Sequence, residues 1–284
     1  MKVSGFTIVR DGVRFAYPFV ESIQSILPLV DEFVVMAGDS QDETTRRLQS
    51  IGSDKLKVFD SVWDEKLRRG GRVMAQQTNL ALEKCRGDWC FYLQADEVVH
   101  EQDHERLLRA MRNNLDKASV DGLSFRYHHF LADYKLKHPL FYRRQTRIIR
   151  NGRAIESVGD ACGFGVPGRK LEAVASGAWI YHYGWVRPPA AMGAKTRQFR
   201  EFYHGDEQLS PEADERYRNW LYDVAACVPF HDSHPRVMQQ LIAAKDWESP
   251  PFEYRPWWRN RAWWDGFMKK NFRSLYGRRQ KRAA

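Results

Sequence analysis

The stretch that decides the fold class covers residues 32–44 and reads Glu-Phe-Val-Val-Met-Ala-Gly-Asp-Ser-Gln-Asp-Glu-Thr. Residues 33–36 form an apolar run, and together with Glu32 they predict a buried strand over 32–36. Three polar residues, Asp39, Ser40 and Asp42, follow that strand directly. The segment 43–51 is predicted to be helical up to the glycine that follows it. A strand that ends in polar residues and leads into a helix is typical of a parallel α/β sheet.

The rest of the first half repeats this order of strand and helix. Three more apolar runs predict strands, and helical spacing between the runs predicts a helix after each strand. Such an order predicts an α/β fold with a mostly parallel sheet flanked by helices. The predicted strands are 6–9, 32–36, 56–59 and 89–93, and the predicted helices are 19–27, 43–51, 73–84 and 103–115.

The second half has a different character, because its strands come first and its helices follow. We predict strands at 122–130, 146–150 and 179–185, a loop at 163–177, and helices at 188–203, 211–224 and 233–245. The chain is therefore predicted to have two parts. Residues 1–205 form the α/β domain, and residues 206–284 form a helical extension with a basic, aromatic tail.

The charge is distributed unevenly along the chain. The 284 residues include 45 basic and 36 acidic side chains, a net charge of +9. Residues 254–284 contain ten basic residues and a single acid, Asp265, and so carry the whole excess. Residues 1–253 hold 35 side chains of each sign and have no net charge with which to attract a polyanion. The charge pattern therefore argues against nucleic acid as a partner.

The tail has two interpretations that the sequence leaves open. Four of the ten Trp lie in residues 256–264, and Trp264, Met268, Phe272 and Leu275 recur at helical spacing. With basic residues between them, these side chains predict contact between the 254–284 tail and an anionic membrane surface. The alternative is a helix that packs its aromatic face on the domain.

Composition also indicates where the protein works. No apolar run reaches about 18 residues, so no transmembrane helix is predicted. The four cysteines form no CxxC pair, which is typical of a reduced, cytoplasmic protein. We therefore expect a cytoplasmic protein, placed peripherally on the inner membrane face if the tail binds lipid.

Acidic residues follow two of the predicted strands. Asp39 and Asp42 follow the second strand, and Asp96 and Glu97 follow the fourth. Ligands of open α/β sheets bind outside the carboxyl ends of the strands, so these groups are expected to face one crevice. Adjacent carboxylates offer the oxygen ligands that Mg²⁺ or Mn²⁺ prefers. The alternative is a set of polar strand ends that cap helices.

Three segments taken together resemble family 2 glycosyltransferases of the GT-A fold. They are 32–44, 79–82 (Asn-Leu-Ala-Leu) and 87–97 (Gly-Asp-Trp-Cys-Phe-Tyr-Leu-Gln-Ala-Asp-Glu), and the resemblance extends over about residues 3–200. It implies a nucleotide-sugar donor based on UDP, GDP or dTDP, with Mg²⁺ or Mn²⁺ on its diphosphate. The donor contacts it implies are Val9, Asp11, Asp39, Ser40, Asn79 and Lys195, and the metal ligands are Asp96, Glu97 and His182.

Two positions depart from the family pattern. Gln94 stands where the first Asp of the DxD motif belongs, and Ala37 stands where an Asp often contacts the nucleotide. The first change removes one negative charge from the predicted metal site. We therefore expect weaker metal affinity, or a first position that contacts the metal through water.

The resemblance also assigns roles in the second half of the chain. Inverting glycosyl transfer needs a base that takes the proton of the acceptor hydroxyl. Asp160 is the acid in the corresponding region, and its alternative role is that of an ordinary turn residue. His182 resembles the C-terminal histidine of the fold, although a buried structural histidine is the alternative. Arg187 and Lys195 would stabilise the leaving diphosphate, unless they are ordinary surface charges.

The sequence thus predicts an inverting, metal-assisted glycosyltransferase that acts on a glycan or glycolipid acceptor of the cell envelope. A non-catalytic, glycosyltransferase-like scaffold is one alternative, which the Gln94 departure supports. A nucleotidyltransferase is the other. A nucleotidyltransferase should have a Gly-rich loop with Lys or Arg after the first strand. Here residues 10–14 read Arg-Asp-Gly-Val-Arg, which contains too little Gly to support this alternative.

Overall fold

The computed structural model describes residues 1–67, 69–204, 224–260, 263, 264 and 267. Its strands are β1 (Val3–Val9), β2 (Glu32–Ala37), β3 (Leu56–Asp60), β4 (Trp89–Tyr92), β5 (Glu97–Val99), β6 (Gly122–Leu131), β7 (Asp133–Lys137), β8 (Arg144–Arg150), β9 (Glu156–Val158), β10 (Gly163–Gly165), β11 (Ala173–Trp185) and β12 (Val228–Pro229). Its α-helices are α1 (Phe19–Ile26), α2 (Thr44–Gln49), α3 (Arg72–Lys84), α4 (His104–Asn114), α5 (Pro189–His204) and α6 (Gln239–Ala243).

The first four strands form the parallel part of a ten-stranded sheet, in the order β3-β2-β1-β4. Helices α1, α2 and α3 connect them along the chain, as the alternating pattern predicts. Their carboxyl ends therefore meet at one edge of the sheet. The predicted fold class, an α/β sheet flanked by helices, is confirmed.

Strand β2 shows why these strands read as continuous apolar runs. Phe33 and Val35 pack into one hydrophobic cluster, whereas Val34 and Met36 pack into a second cluster. Because both faces of the strand are covered, every position from Phe33 to Ala37 is apolar instead of every other one. The sheet thus has a core on each side.

The remaining strands make the sheet mixed beyond β4. Strand β8 pairs antiparallel with β4 and β6, and β7 and β12 extend the sheet further. Strand β11 pairs parallel with β6 and antiparallel with β5. Its register sets His182 opposite both Glu97 and His129. Three polar residues distant in sequence therefore meet at one level of the sheet.

Two boundaries differ from the sequence prediction. The predicted loop 163–177 contains β10 and the first residues of β11, because a register irregularity after Ala175 and a left-handed φ of 81° at Gly177 interrupt the strand pattern. The predicted helix 233–245 is only a 3-10 turn at Arg236–Met238 followed by α6.

The C-terminal predictions fall largely outside the described residues. Nearly all of the predicted helix 211–224 and most of the 254–284 tail lie there, so the division at residue 205 stays a prediction. Within the part of the chain that the structure describes, no helix is both long enough and apolar enough to cross a membrane.

Candidate functional site

A cleft of about 230 Å³ opens where strands β1 and β4 end. Five predicted site residues line it, and each comes from a different segment of the chain. They are Val9 at the end of β1, Asp96 after β4, Asp160 between β9 and β10, His182 on β11 and Lys195 on α5. The fold therefore brings together residues separated by up to 186 positions in the sequence.

Asp96 is a buried carboxylate surrounded by cationic and imidazole groups. Its Oδ2 lies 3.3 Å from Nζ of Lys195 and 3.8 Å from Nη2 of Arg187, and its Oδ1 lies 3.7 Å from Nε2 of His182. Burial raises the pKa of Asp96, but Lys195, His182 and Arg187 outweigh this effect and lower the pKa to about 2. Asp96 is therefore ionised at neutral pH.

Lys195 brings a buried ammonium group to the wall of the cleft. Its Nζ donates a 2.7 Å hydrogen bond to the Gly184 carbonyl and lies 4.6 Å from the centre of the Trp185 ring. Burial, together with the charge of Arg187, lowers the pKa of Lys195 to about 7, although Asp96 opposes the shift. The alternative that Lys195 is an ordinary surface charge is wrong, since its side chain is only 3% exposed.

Arg187 supports Asp96 from inside the protein. Its Nη1 donates to the Phe15 carbonyl at 2.5 Å, and its Nη2 donates to the Gly184 carbonyl at 2.8 Å. The guanidinium also lies 4.6 Å from the centre of the Tyr17 ring. Arg187 is fully buried and does not line the cleft. It therefore fixes the position of Asp96 instead of reaching a ligand directly.

His182 belongs to a chain of hydrogen bonds that determines which of its nitrogens faces the cleft. Nε2 of His129 lies 2.8 Å from the Tyr142 carbonyl, which can only accept, so this nitrogen carries a hydrogen. With that hydrogen as the only one on the His129 ring nitrogens, Nδ1 of His129 accepts from Nδ1 of His182 at 3.1 Å. Nε2 of His182 is left with a lone pair directed toward Asp96, and burial lowers the pKa of His182.

Glu97 points away from Asp96 and into the interior. Its Oε2 accepts from Nε of Arg147 at 2.7 Å, and its Oε1 accepts from Nη2 of Arg147 at 2.8 Å and from the Tyr127 hydroxyl at 2.9 Å. Glu97 and Arg147 are both 0% exposed. Both carboxylate oxygens are occupied, which argues against the predicted metal-ligand role of Glu97.

Asp160 lines the same cleft as the charged cluster. Its Oδ2 accepts a 2.5 Å hydrogen bond from the Tyr203 hydroxyl, and its Oδ1 accepts from the backbone N–H of Cys162 at 3.2 Å. The Cβ of Asp160 would clash with any side chain at Gly71, where an added Cβ would lie 2.8 Å away. Asp160 is half-buried, with its carboxylate held at the cleft wall.

The other predicted donor contacts do not line the cleft. Asp11 accepts from the Gln41 backbone at 2.9 Å, and Ser40 accepts from the Asp11 backbone at 2.9 Å, so this pair ties the β1 and β2 ends together. Asp39 forms an ion pair with Arg10, whose Nε lies 3.2 Å away.

Asn79 is used in a different way. Its side chain exchanges two hydrogen bonds with the Ser157 backbone, at 3.2 and 2.7 Å, and so fastens β9 to α3. Asn79 therefore holds the strand that leads to Asp160, three residues beyond Ser157.

Sequence reasoning missed the aromatic wall of the cleft. Trp63 stacks on Phe202 with ring centres 5.5 Å apart, and the Arg10 guanidinium lies 5.5 Å from the Trp63 ring centre. Nε1 of Trp63 is buried without a hydrogen-bond partner among the described residues. Trp63 follows β3, so extending the search of strand ends to this third strand would have identified it.

Comparison with known proteins identifies the family. A family model of glycosyl transferase family 2 matches residues 15–170. The chain belongs to glycosyl transferase family 2. No curated protein matches it.

Two solved structures illustrate what this family 2 chain is similar to. S. aureus TarS 1-349 in complex with UDP is 13% identical, with a TM-score of 0.42 and coverage of 78% of this chain and 70% of that chain. Glucosyl-3-phosphoglycerate synthase from Mycobacterium tuberculosis, in complex with Mn²⁺, UDP and phosphoglyceric acid, is 16% identical, with a TM-score of 0.40 and coverage of 71% and 76%.

Membership of family 2 confirms the predicted resemblance. The protein is a glycosyltransferase of the nucleotide-sugar-dependent type, with an α/β sheet whose strand ends form the cleft. The matched residues include Asp39, Asp96 and Asp160 but stop before His182 and Lys195.

The packing of Glu97 in this glycosyltransferase leads to a first prediction. Replacing Glu97 by Gln leaves the buried Arg147 without a counter-charge, so we expect the free energy of unfolding to fall by about 3–5 kcal/mol in urea titrations. Glu101→Gln is the matched control. Its partner Arg236 is 82% exposed and 4.0 Å away, so the change should be below about 1 kcal/mol. A Glu97→Gln protein of normal stability that no longer binds Mn²⁺ would instead make Glu97 a metal ligand.

Proposed function

We propose that the protein transfers a sugar from a nucleotide-sugar donor to an acceptor hydroxyl, with inversion at the anomeric carbon and assistance from a divalent cation. One observation carries this proposal: His182 and Lys195 lie beside Asp96, and all three line the same cleft as Asp160. The first group is suited to a diphosphate and its counter-ion, and Asp160 is suited to a proton transfer. The donor is a UDP-, GDP- or dTDP-sugar.

Two residues support a divalent cation, Mg²⁺ or Mn²⁺. The lone pair of His182 Nε2 and the carboxylate of Asp96 face each other across 3.7 Å, an arrangement that a cation between them would stabilise. No group of three or more His, Cys, Asp or Glu ligands exists among the described residues. Asp96 and His182 would thus hold the ion with donor phosphates, as Mg²⁺ sites usually do. Bound there, the ion would neutralise charge on the diphosphate.

The histidine chain supplies a test of this cation site. His129 fixes the tautomer of His182, and removing such an outer partner typically costs about 10–100-fold in metal affinity. We expect His129→Ala to lower the affinity for Mn²⁺ by this factor in titrations that contain UDP. His104→Ala removes a histidine of α4 whose Nε2 lies 2.8 Å from the Ser25 carbonyl, away from the cleft, and it should leave the affinity unchanged. Equal Mn²⁺ affinities in all three proteins would contradict the assignment.

Lys195 is proposed to contact the donor diphosphate. Its ammonium already has one acceptor in Gly184 and a 3.3 Å neighbour in Asp96, and it faces the cleft. A cation placed where negative charge develops on the leaving group lowers the barrier to bond cleavage. Arg187, fixed behind Asp96, adds to the positive potential.

The test of the donor site uses Lys195. We expect the wild-type protein to bind UDP in the presence of Mn²⁺ in isothermal titrations, and Lys195→Met to bind it about tenfold or more weakly because one charge-assisted contact is lost. Lys170→Met is the control, since Lys170 is exposed and outside the cleft. Wild-type protein that binds none of UDP, GDP and dTDP would reject the donor site. Unchanged affinity in Lys195→Met would reject the role of Lys195.

Asp160 is proposed as the general base. It accepts the proton of the acceptor hydroxyl while that oxygen forms a bond to the anomeric carbon. The bond from that carbon to the diphosphate oxygen breaks, and the nucleoside diphosphate leaves with its electron pair. The Tyr203 hydroxyl and the Cys162 N–H hold the carboxylate in place for this step. Asn79 holds the strand before it and is a positioning residue.

The corresponding prediction separates chemistry from binding. Asp160→Asn cannot take a proton, so we expect the rate of transfer to fall by about 10²–10⁴-fold, while UDP affinity stays within twofold of wild type. Glu156→Gln changes an exposed acid of β9 and should leave both quantities unchanged. Rates would be measured as UDP released from UDP-sugar. Full activity in Asp160→Asn would assign the base elsewhere.

The acceptor and its location remain parts of the proposal. A glycan or glycolipid of the cell envelope is expected from the family, and the 254–284 tail, with its basic and aromatic residues, supports contact with a membrane surface. Most of that tail lies outside the described residues.

A further inference from the structure

We call the cleft that Asp96 and Asp160 line the donor cleft, because the nucleotide-sugar is proposed to bind there. A second cavity, of about 490 Å³, lies next to the donor cleft. We call it the basic cavity. Its walls are formed by residues 126–129 of β6, Lys137 at the end of β7, the 138–143 segment, Arg144 at the start of β8 and Trp179 of β11. Its cationic lining residues are Arg126, Lys137, Arg143 and Arg144. Nothing in the proposed donor chemistry uses these four side chains.

The charges of the basic cavity are all of one sign. Its described lining includes four cationic side chains and no Asp or Glu. None of the four has a carboxylate within 4.0 Å among the residues that the structure describes. Elsewhere Arg153 and Arg169 both pair with one acid, Asp121. Because concave walls focus the field of like charges, the basic cavity is a site of positive potential.

Aromatic rings hold part of this charge in place. The Arg126 guanidinium lies 4.6 Å from the centre of the Trp179 ring, and the Lys137 ammonium lies 5.3 Å from the centre of the Phe230 ring. His128 stacks on Trp179 with ring centres 4.2 Å apart and an interplanar angle of 2°. Cations positioned in this way before a ligand arrives lose less side-chain entropy on binding.

His128 adds a neutral donor to these cations. Burial, together with the charges of Lys137 and Arg126, lowers the pKa of His128 to about 4, although the nearby Asp232 opposes the shift. At neutral pH the imidazole is therefore uncharged and offers one N–H. The basic cavity combines fixed charge with a hydrogen-bond donor.

The basic cavity and the donor cleft share a wall. Tyr142 lines both of them. His129 lines the basic cavity, and its Nδ1 lies 3.1 Å from Nδ1 of His182, which lines the cleft. A molecule that extends from one space into the other therefore passes the side of the cleft where the diphosphate is proposed to bind.

We infer that the basic cavity binds a phosphate ester carried by the acceptor. The inference rests on the proposed function, because the shared wall places such a molecule next to the donor. Guanidinium groups match phosphate oxygens in pairs of hydrogen bonds, and three of the four cations are arginines. The phosphate ester is either part of a soluble acceptor or the headgroup phosphate of a lipid-linked one.

The experiment uses the full chain and two probes. Glycerol 1-phosphate, with glycerol as the uncharged control, represents a soluble phosphate ester in isothermal titration. Phosphatidylcholine vesicles with and without phosphatidic acid represent a lipid phosphate in flotation. The variant is Arg126→Gln/Arg144→Gln, and the matched control is Arg109→Gln, an exposed arginine of α4 outside both cavities. UDP affinity and the thermal midpoint are measured for every protein.

We expect the double variant to lose about tenfold or more in affinity for glycerol 1-phosphate, with UDP affinity and thermal midpoint unchanged and Arg109→Gln like wild type. If the loss occurs only for phosphatidic acid vesicles, the phosphate belongs to a lipid and the inference holds. Equal affinities of wild type and double variant for both probes overturn it, as does displacement of glycerol 1-phosphate by UDP.

Failure of the proposed function gives a different result. Wild-type protein that binds no nucleotide would reject the donor site, while an arginine-dependent affinity for glycerol 1-phosphate would still establish the basic cavity as a phosphate site. Lys137→Gln provides a second variant. Like the double variant, it should bind glycerol 1-phosphate more weakly than the wild-type protein does.

Discussion

The buried ion pair between Glu97 and Arg147 is the interaction on which both sides of the cleft depend. Glu97 immediately follows Asp96, so the two hydrogen bonds from Arg147 fix the backbone that carries the cleft carboxylate. Arg147 also donates from Nη1 to the Cys162 carbonyl at 2.9 Å, two residues beyond Asp160. One guanidinium group therefore links the segment that carries Asp96 to the segment that carries Asp160.

Burying such a pair is costly, because both ions lose their hydration. The cost is offset by pairing at both carboxylate oxygens, by the Tyr127 hydroxyl and by the backbone N–H of Gln94 at 3.2 Å. An apolar pair of similar size would be at least as stable by this reasoning. The ion pair instead fixes an orientation. Its directional hydrogen bonds hold the turn that carries Asp96 in one position relative to β8.

Sequence reasoning succeeded where a local pattern carries long-range information. The apolar runs define the parallel strands, and the rule that ligands meet strand ends places Asp96 in the cleft. The family resemblance added His182, Lys195 and Asp160, all of which line that cleft. Their roles in catalysis and binding stay predictions that the experiments above address.

The same reasoning failed where neighbouring residues have opposite surroundings. Asp96 and Glu97 look equivalent in the sequence, yet one faces the cleft and the other faces Arg147, because Glu97 begins β5 and turns inward. Arg147 itself reads as a surface residue of a strand. Only the pairing of β8 with β4 and β6 buries it, and such pairing between distant segments leaves no local signal.

Net charge illustrates the difference between composition and arrangement. Residues 1–253 are neutral overall, but the fold separates their charges into distinct environments. Lys195, Arg187 and Arg147 are buried against Asp96 and Glu97, where their charge is largely balanced. The four cations of the basic cavity face no acid in its described lining. A neutral body therefore presents a concave surface of one sign, and it does so beside the cleft because His129 and Tyr142 belong to the wall between the two spaces. The property that selects an anionic ligand is thus the local imbalance of charge, which the sum over the chain conceals.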